Sequence, residues 1–145
     1  MSEKILIVID HRPTPKQRPA WSKGRAYTPK KTRDYEALLA NVAKATMLSN
    51  KKKRFDADTP IKVTATFIFE VPKSWSKGKK EQAIKGELSP ILSNTGDVDN
   101  LLKSCLDSFN GIVFEDDKTI SEIVSKKKYG TKNQIIVLVE EVING

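Results

Sequence analysis

The sequence predicts an α+β fold: a single two-layer domain over residues 1–145, with a mixed β-sheet and helices packed on one of its faces. Three observations predict it. Apolar, β-branched runs that read as strands lie near both ends and in the middle of the chain, and two amphipathic stretches lie between them. Strands and helices follow one another too irregularly for a doubly wound sheet. With 145 residues the chain is long enough to bury a core without disulfides or structural metals.

Each element has a local cause. Residues 5–9 are continuously apolar and predict a buried strand. Pro13, Pro15, Pro19 and Pro29 then break the chain too often for a helix or a central strand, which leaves a loop. Trp21 and Tyr27 sit among the cations of that loop, either packed back on the core or free to stack on a nucleic-acid base. From 31 to 48, the spacing of Tyr35, Leu38, Leu39, Val42, Ala45 and Thr46 predicts an amphipathic helix. Lys51-Lys52-Lys53-Arg54 reads as a solvated loop. Ile61, Val63, Ala65, Phe67, Phe69 and Val71 alternate with Lys62, Thr64, Thr66 and Glu70, the pattern of a strand with one wet face, and Pro72 ends it.

Residues 74–87 are basic and weakly helical, anchored by Trp75, Ala83 and Ile84, and 89–96 are turn-like. A second helix covers roughly 97–109, with Val98, Leu101, Leu102, Cys105, Leu106 and Phe109 in one apolar stripe. Asn110-Gly111 stops it, since glycine suits the left-handed position after a helix. Residues 112–114 form a short apolar run. Residues 119–127 and 134–141 are β-branched and predict an antiparallel hairpin around Tyr129-Gly130.

Composition narrows the function. A formal net charge of +8 and a pI near 9.5 favour a polyanionic partner. No acidic residue lies between His11 and Arg33, so Arg12, Lys16, Arg18, Lys23, Arg25, Lys30 and Lys31, with Tyr27, are candidate DNA-binding residues. One cysteine, Cys105, excludes an internal disulfide and a cysteine zinc site and fits a reducing cytoplasm. One histidine, His11, excludes a histidine-rich metal centre. No apolar run approaches the roughly 20 residues of a bilayer span, and residues 1–5 lack a signal-peptide pattern, so no membrane is expected.

Against this basic background stands Asp97-Val98-Asp99-Asn100-Leu101-Leu102-Lys103, followed by Glu115-Asp116-Asp117. A purely structural account exists: Asp97 as N-cap, Asp99 in the first helical turn, and Asp99 paired with Lys103 at i,i+4. The competing account is a metal site. Hard carboxylate oxygens without histidine or cysteine suit Mg²⁺ or Mn²⁺ rather than zinc. A calcium loop starting at Asp97 fails, because its glycine and glutamate positions hold Leu102 and Ser108. Lys103 donates but does not accept while charged, so it suits charge stabilisation on a phosphate better than base catalysis. Cys105 falls inside the apolar stripe and reads as a small buried hydrophobe.

These residues resemble the RusA family of Holliday junction resolvases, especially its phage and prophage members. The resemblance rests on D-x-D-N-L-x-K at 97–103, on Cys105-Leu106-Asp107-Ser108-Phe109-Asn110-Gly111-Ile112, and on Asp116-Asp117. Pro15-Lys16-Gln17-Arg18 and Tyr27-Thr28-Pro29 also fit, as does the lysine-containing strand pair near the end of the chain. Where many phage relatives carry a Lys-Pro or histidine lead into the motif, this chain has Ser93-Asn94-Thr95-Gly96. The resemblance implies a RusA-like fold and a homodimer that binds four-way DNA junctions and nicks two opposed strands with Mg²⁺ or Mn²⁺. It further implies Asp97, Asp99 and Asp117 as catalytic carboxylates and metal ligands, with Asp116 as the alternative member of its pair, and Lys103 as the essential cation. No nucleotide cofactor is expected. The competing readings are a broader nuclease for branched DNA, a non-catalytic basic DNA-binding module, and an RNA-associated basic protein.

Overall fold

The computed structural model describes residues 3–16 and 20–143; the candidate DNA contact Arg18 lies outside them. Nine elements follow in order: β1 (Lys4–Ile9), β2 (Ala20–Ser22), β3 (Arg25–Tyr27), α1 (Lys30–Ser49), β4 (Ile61–Glu70), α2 (Lys77–Ile84), α3 (Val98–Phe109), β5 (Ile120–Gly130) and β6 (Gln134–Glu141). Four strands form one mixed sheet in the order β1-β6-β4-β5, and β2 and β3 form a separate antiparallel ribbon. β6 runs antiparallel to both neighbours, whereas β5 runs parallel to β4. This is the α+β fold with a mixed sheet that the sequence predicts.

Period-two alternation dictates which face is covered. Ile61, Val63, Ala65, Phe67 and Phe69 of β4 point to one side and are buried, together with Ile5, Ile7 and Ile9 of β1 and Ile135, Val137 and Val139 of β6. α1 and α3 pack on that side, against each other and against β1 and β5, while α2 contacts β5. Leu39, Ala43 and Met47 of α1 and Leu101, Cys105 and Phe109 of α3 complete the core. Burial pushes the Cys105 thiol up to about 12, so it is a packed, protonated group at neutral pH. The opposite sheet face stays open to solvent, with Leu6, Val8 and Val124 exposed on it.

Four expectations need correction. The 119–127 and 134–141 segments are strands but not a hairpin, because β4 inserts between them and hydrogen-bonds both. β4 is uniformly apolar on its inner face, so a central position buries it most completely. β1 is an edge strand with Leu6 and Val8 exposed, not a strand buried on both faces. The buried stripe of α1 is Thr32, Tyr35, Leu39, Ala43 and Met47, so Ala45 lies in solvent and Leu38 and Val42 at the margin. Part of the proline-rich loop folds as the β2–β3 ribbon. Its turn, Lys23-Gly24, has positive φ at both residues (52° and 75°), the geometry of a two-residue hairpin turn.

Candidate active site

α3 carries the candidate site. Asp97 occupies the N-cap position with extended backbone (φ −83°, ψ 139°), yet its side chain makes no capping hydrogen bond. Asp99 lies in the first turn; among the described residues its Oδ1 accepts only from the adjacent Asn100 N–H, at 3.0 Å. Lys103 follows one turn later and is exposed. Among the described residues Asp99 and Lys103 form no ion pair. Of the three structural duties that the sequence offers these groups, capping and pairing are not performed among the described residues, whereas Asp99 does lie in the first turn, where it complements the helix dipole. They stand exposed at the head of α3, available to a ligand.

The turn before Asp97 is built tightly. Lys127 of β5 points inward, on the same parity as Ser125 and the buried Tyr129. Its ammonium donates to the Gly96 carbonyl at 2.6 Å and to Thr95 Oγ1 at 3.2 Å. The Thr95 hydroxyl is buried and donates to the Leu92 carbonyl at 2.7 Å. Gly96 has φ +76°, and a Cβ there would lie 2.6 Å from Pro15 Cβ, so the proline loop rests directly on glycine. Arg12 adds a bond to the Asn94 carbonyl at 3.3 Å and lies 5.0 Å from the Phe69 ring centre. Sequence reasoning missed Lys127. The available signal was its inward parity in β5, where a lysine requires a buried acceptor.

The other acidic residues gather at the opposite end of α3. Asn110, its C-cap residue, accepts the Asp117 N–H on Oδ1 at 2.9 Å, and Asp116 Oδ1 accepts the Lys118 N–H at 2.9 Å. Partial withdrawal from water raises the Asp117 pKa, and the neighbouring Asp116 and Asp107 carboxylates raise it further. Asp116 shifts the other way, chiefly through the Lys118 N–H bond. Arg54 braces the same turn, with Nε 2.8 Å from Glu115 Oε2 and a second bond to the Gly111 carbonyl at 3.0 Å.

Within one chain the structure therefore brings Asp97 near Asp99 and Lys103, and Asp117 near Asp116 and Asp107, but it does not join the two groups. Asp97 and the Asn110 that holds the Asp117 turn cap opposite ends of α3, whose twelve residues span about 18 Å of axis, although Lys103 and Asp107 between them are only one turn apart. Among the described residues no three acidic, histidine or cysteine side chains converge enough to hold a metal ion. The donors themselves fit Mg²⁺ or Mn²⁺: all are carboxylates, and the crowding that raises Asp117 is one a divalent cation would relieve.

The candidate DNA contacts divide in the same way. Lys23, Arg25, Tyr27, Lys30 and Lys31 are exposed on the ribbon and at the start of α1. Lys16 is not free: Nζ donates to Asp107 Oδ2 at 2.7 Å and lies 3.3 Å from Glu36 Oε1. The Glu36 oxygen is off the hydrogen-bonding direction and buried without a hydrogen-bond partner, so the Asp107 bond is the stronger tie. Both carboxylates raise the lysine's pKa against the opposing effect of burial. This stabilisation is complete below the ordinary lysine pKa and is lost as alkaline pH passes the raised value. Lys16→Met is expected to cost about 1–2 kcal/mol at neutral pH in urea unfolding, since it strands Asp107 and Glu36. Asp107→Asn should reproduce much of that loss, and the double variant should fall short of the sum. Full additivity would show that the pair does not hold the loop.

Comparison with known proteins accords with this arrangement. The family model described as "Endodeoxyribonuclease RusA" matches residues 10–140. The chain is also 33% identical over 85 residues to "Uncharacterized protein YqaN" of Bacillus subtilis (strain 168), a match that covers 57% of this chain and 58% of that relative. With the family match spanning nearly the whole sequence, including both acidic groups of α3 and the loop that rests on Gly96, the chain belongs to the RusA family of endodeoxyribonucleases.

Proposed function

We propose that this protein is a divalent-metal-dependent endonuclease that resolves four-way DNA junctions by paired phosphodiester hydrolysis, in recombination, repair or phage DNA processing, in the cytoplasm of a bacterium or its infected host. The observation that carries the reading is the pair of exposed carboxylate groups at the two ends of α3, without structural partners at its head, in a chain of net charge +8. Branched DNA is the substrate the family match supports.

The split across α3 supports a homodimer. A two-fold pair of chains sets the head of one α3 against the tail of the other, so that Asp97 and Asp99 of one protomer meet Asp117 of its partner. Two such composite sites match the two opposed strands of a junction. Asp97, Asp99 and Asp117, with Asp116 in reserve, would hold Mg²⁺ or Mn²⁺. When bound, that ion makes water a nucleophile at neutral pH and stabilises charge on the phosphoryl oxygens. The protein's own part is to bind and orient. Exposed cations near α1 and the ribbon hold the phosphate backbone, and Lys103, one turn from Asp99, donates to the phosphate oxygen on which charge develops.

Purified protein offered four-way, three-way and linear DNA should nick the four-way substrate at symmetric positions with Mg²⁺ or Mn²⁺, and not in EDTA. Equal cutting of three-way forms would favour a broader nuclease for branched DNA. Binding without any metal-dependent cutting would leave a DNA-binding module instead. Lys103→Ala should lower turnover about 100- to 1,000-fold with junction affinity within about threefold. A comparable loss in both quantities would make the lysine a binding contact only.

A further inference from the structure

The β2–β3 ribbon is the part of the molecule that neither the core nor the acidic site uses. Every residue from 21 to 28 is exposed. Trp21 is 74% exposed and Tyr27 50%. Their register separates them: Trp21 faces the same side as its cross-strand partner Ala26, whereas Tyr27 and Arg25 lie opposite Ala20 and Ser22 on the other side. The indole thus has a methyl group across the ribbon and, among the described residues, no aromatic partner. Trp75 shows the contrast, packed edge-on against Tyr129 at 5.2 Å with Lys79 4.1 Å over its face. Covering an aromatic ring of this size is favourable, and Trp21 forgoes most of that gain in the free protein.

Position and charge identify what covers it. Lys23 lies in the turn next to Trp21 and Arg25 on the ribbon's other face, and the nearest acidic residues in sequence are Asp10 and Asp34. Trp21 is five residues beyond Lys16, whose ammonium is bonded to Asp107 beside the Asp117 turn. Five extended residues span at most about 18 Å, so the ring stays within one or two turns of duplex from the acidic groups. Pro15 is seated on Gly96 and Lys16 is held between α1 and α3, and on its other side the ribbon leads through Thr28 and Pro29 straight into α1. A cationic ribbon that presents a bare indole suits a negatively charged ligand with an accessible π-face. Linear duplex offers no such face along its length, whereas strands that cross at a branch point leave terminal base pairs unstacked on one side.

Resting on the junction-cleaving reading above, we propose that Trp21 recognises the branch point itself, by stacking on a base exposed at the crossover while Lys23 and Arg25 contact the flanking phosphates. Trp21 is on this account a specificity-determining residue that distinguishes branched from linear DNA. Stacking on an aromatic side chain contributes about 1–3 kcal/mol per base, which corresponds to a preference of roughly 5- to 150-fold.

The test uses full-length protein in EDTA, so that binding is measured without cleavage. Trp21→Ala should weaken binding to a four-way junction about tenfold or more, while affinity for a linear duplex of the same sequence changes by less than about twofold. Trp21→Phe should keep most of the junction affinity. In a Trp75→Phe background, where Trp21 is the remaining tryptophan, junction binding should quench its emission and linear duplex should not. Equal losses on both DNAs, or no loss on either, would overturn the proposal. So would a change in sedimentation of Trp21→Ala without DNA, since that would place the ring against a second copy of the chain. If the wild-type protein shows no preference for the junction at all, the junction-cleaving reading fails with it. If the preference exists and Trp21→Ala retains it, only the role of the indole is lost.

Discussion

Asp99→Asn should abolish metal-dependent nicking of a four-way junction, a loss on the order of a thousandfold, while junction binding in EDTA is unchanged or slightly tighter. The substitution keeps the size of the side chain and removes one negative charge close to bound phosphate. It sacrifices no cap and no ion pair, since Asp99 makes only the bond to the neighbouring Asn100 N–H. Folding should therefore be untouched, and the thermal midpoint should stay within a few degrees of wild type. Gel mobility shift and single-turnover cleavage, run side by side over a Mg²⁺ titration, check both halves of the statement. Cleavage at the wild-type rate would remove Asp99 from the site. A parallel collapse in binding would make it a scaffold residue.

A mixture of Asp99→Asn and Asp117→Asn proteins, each inactive alone, should regain nicking after their subunits exchange. The reason is the separation of Asp99 and Asp117 along α3. In a mixed dimer one site receives Asp97 and Asp99 from the first protomer and Asp117 from its partner, all intact, and the other site receives both defects. Random exchange makes half of the dimers mixed, so about a quarter of wild-type sites should return. The product should be a single nick and not a symmetric pair. If the mixture stays as inactive as its components, each site is built within one chain and the turn at Asp117 must move to reach the helix head. A covalently tethered mixed dimer would give the same result without dependence on exchange.

Much of the fold is written locally in the sequence. α1, β4 and α3 were legible within a residue or two because each has a strong period and a clear stop, Pro72 for β4 and Asn110-Gly111 for α3. The partnership of strands was not. β5 and β6 are adjacent in sequence and both β-branched, but β4, apolar along its whole inner face, takes the place between them, and the lysine-bearing β5 is left at the edge. The ribbon was obscured by four prolines around it, although Lys23-Gly24 is a recognisable turn pair.

For the site, residue identity was legible and convergence was not. Carboxylate spacing along α3 follows from helical geometry, which is local. The return of the chain after Gly111 depends on Asn110 accepting the Asp117 N–H and on Phe55 exchanging backbone bonds with Val113 and Glu115, contacts between distant segments. These hold Asp117 at the tail of α3, not at its head. Lys16 misled for the same reason: a cation in a basic loop looks free until Glu36 and Asp107 arrive from two helices.

One rod thus fixes the distance between the two ends of the site, because Asp97 caps the start and Asn110 the end of the same twelve-residue helix. Loop insertions elsewhere can alter grip on DNA without changing that interval. Lengthening α3 by one turn would not have this freedom: it would move the groups about 5.4 Å further apart, and a fraction of a turn would also rotate them relative to one another. The helix acts as a molecular gauge, and its length is the quantity that this architecture can least afford to vary.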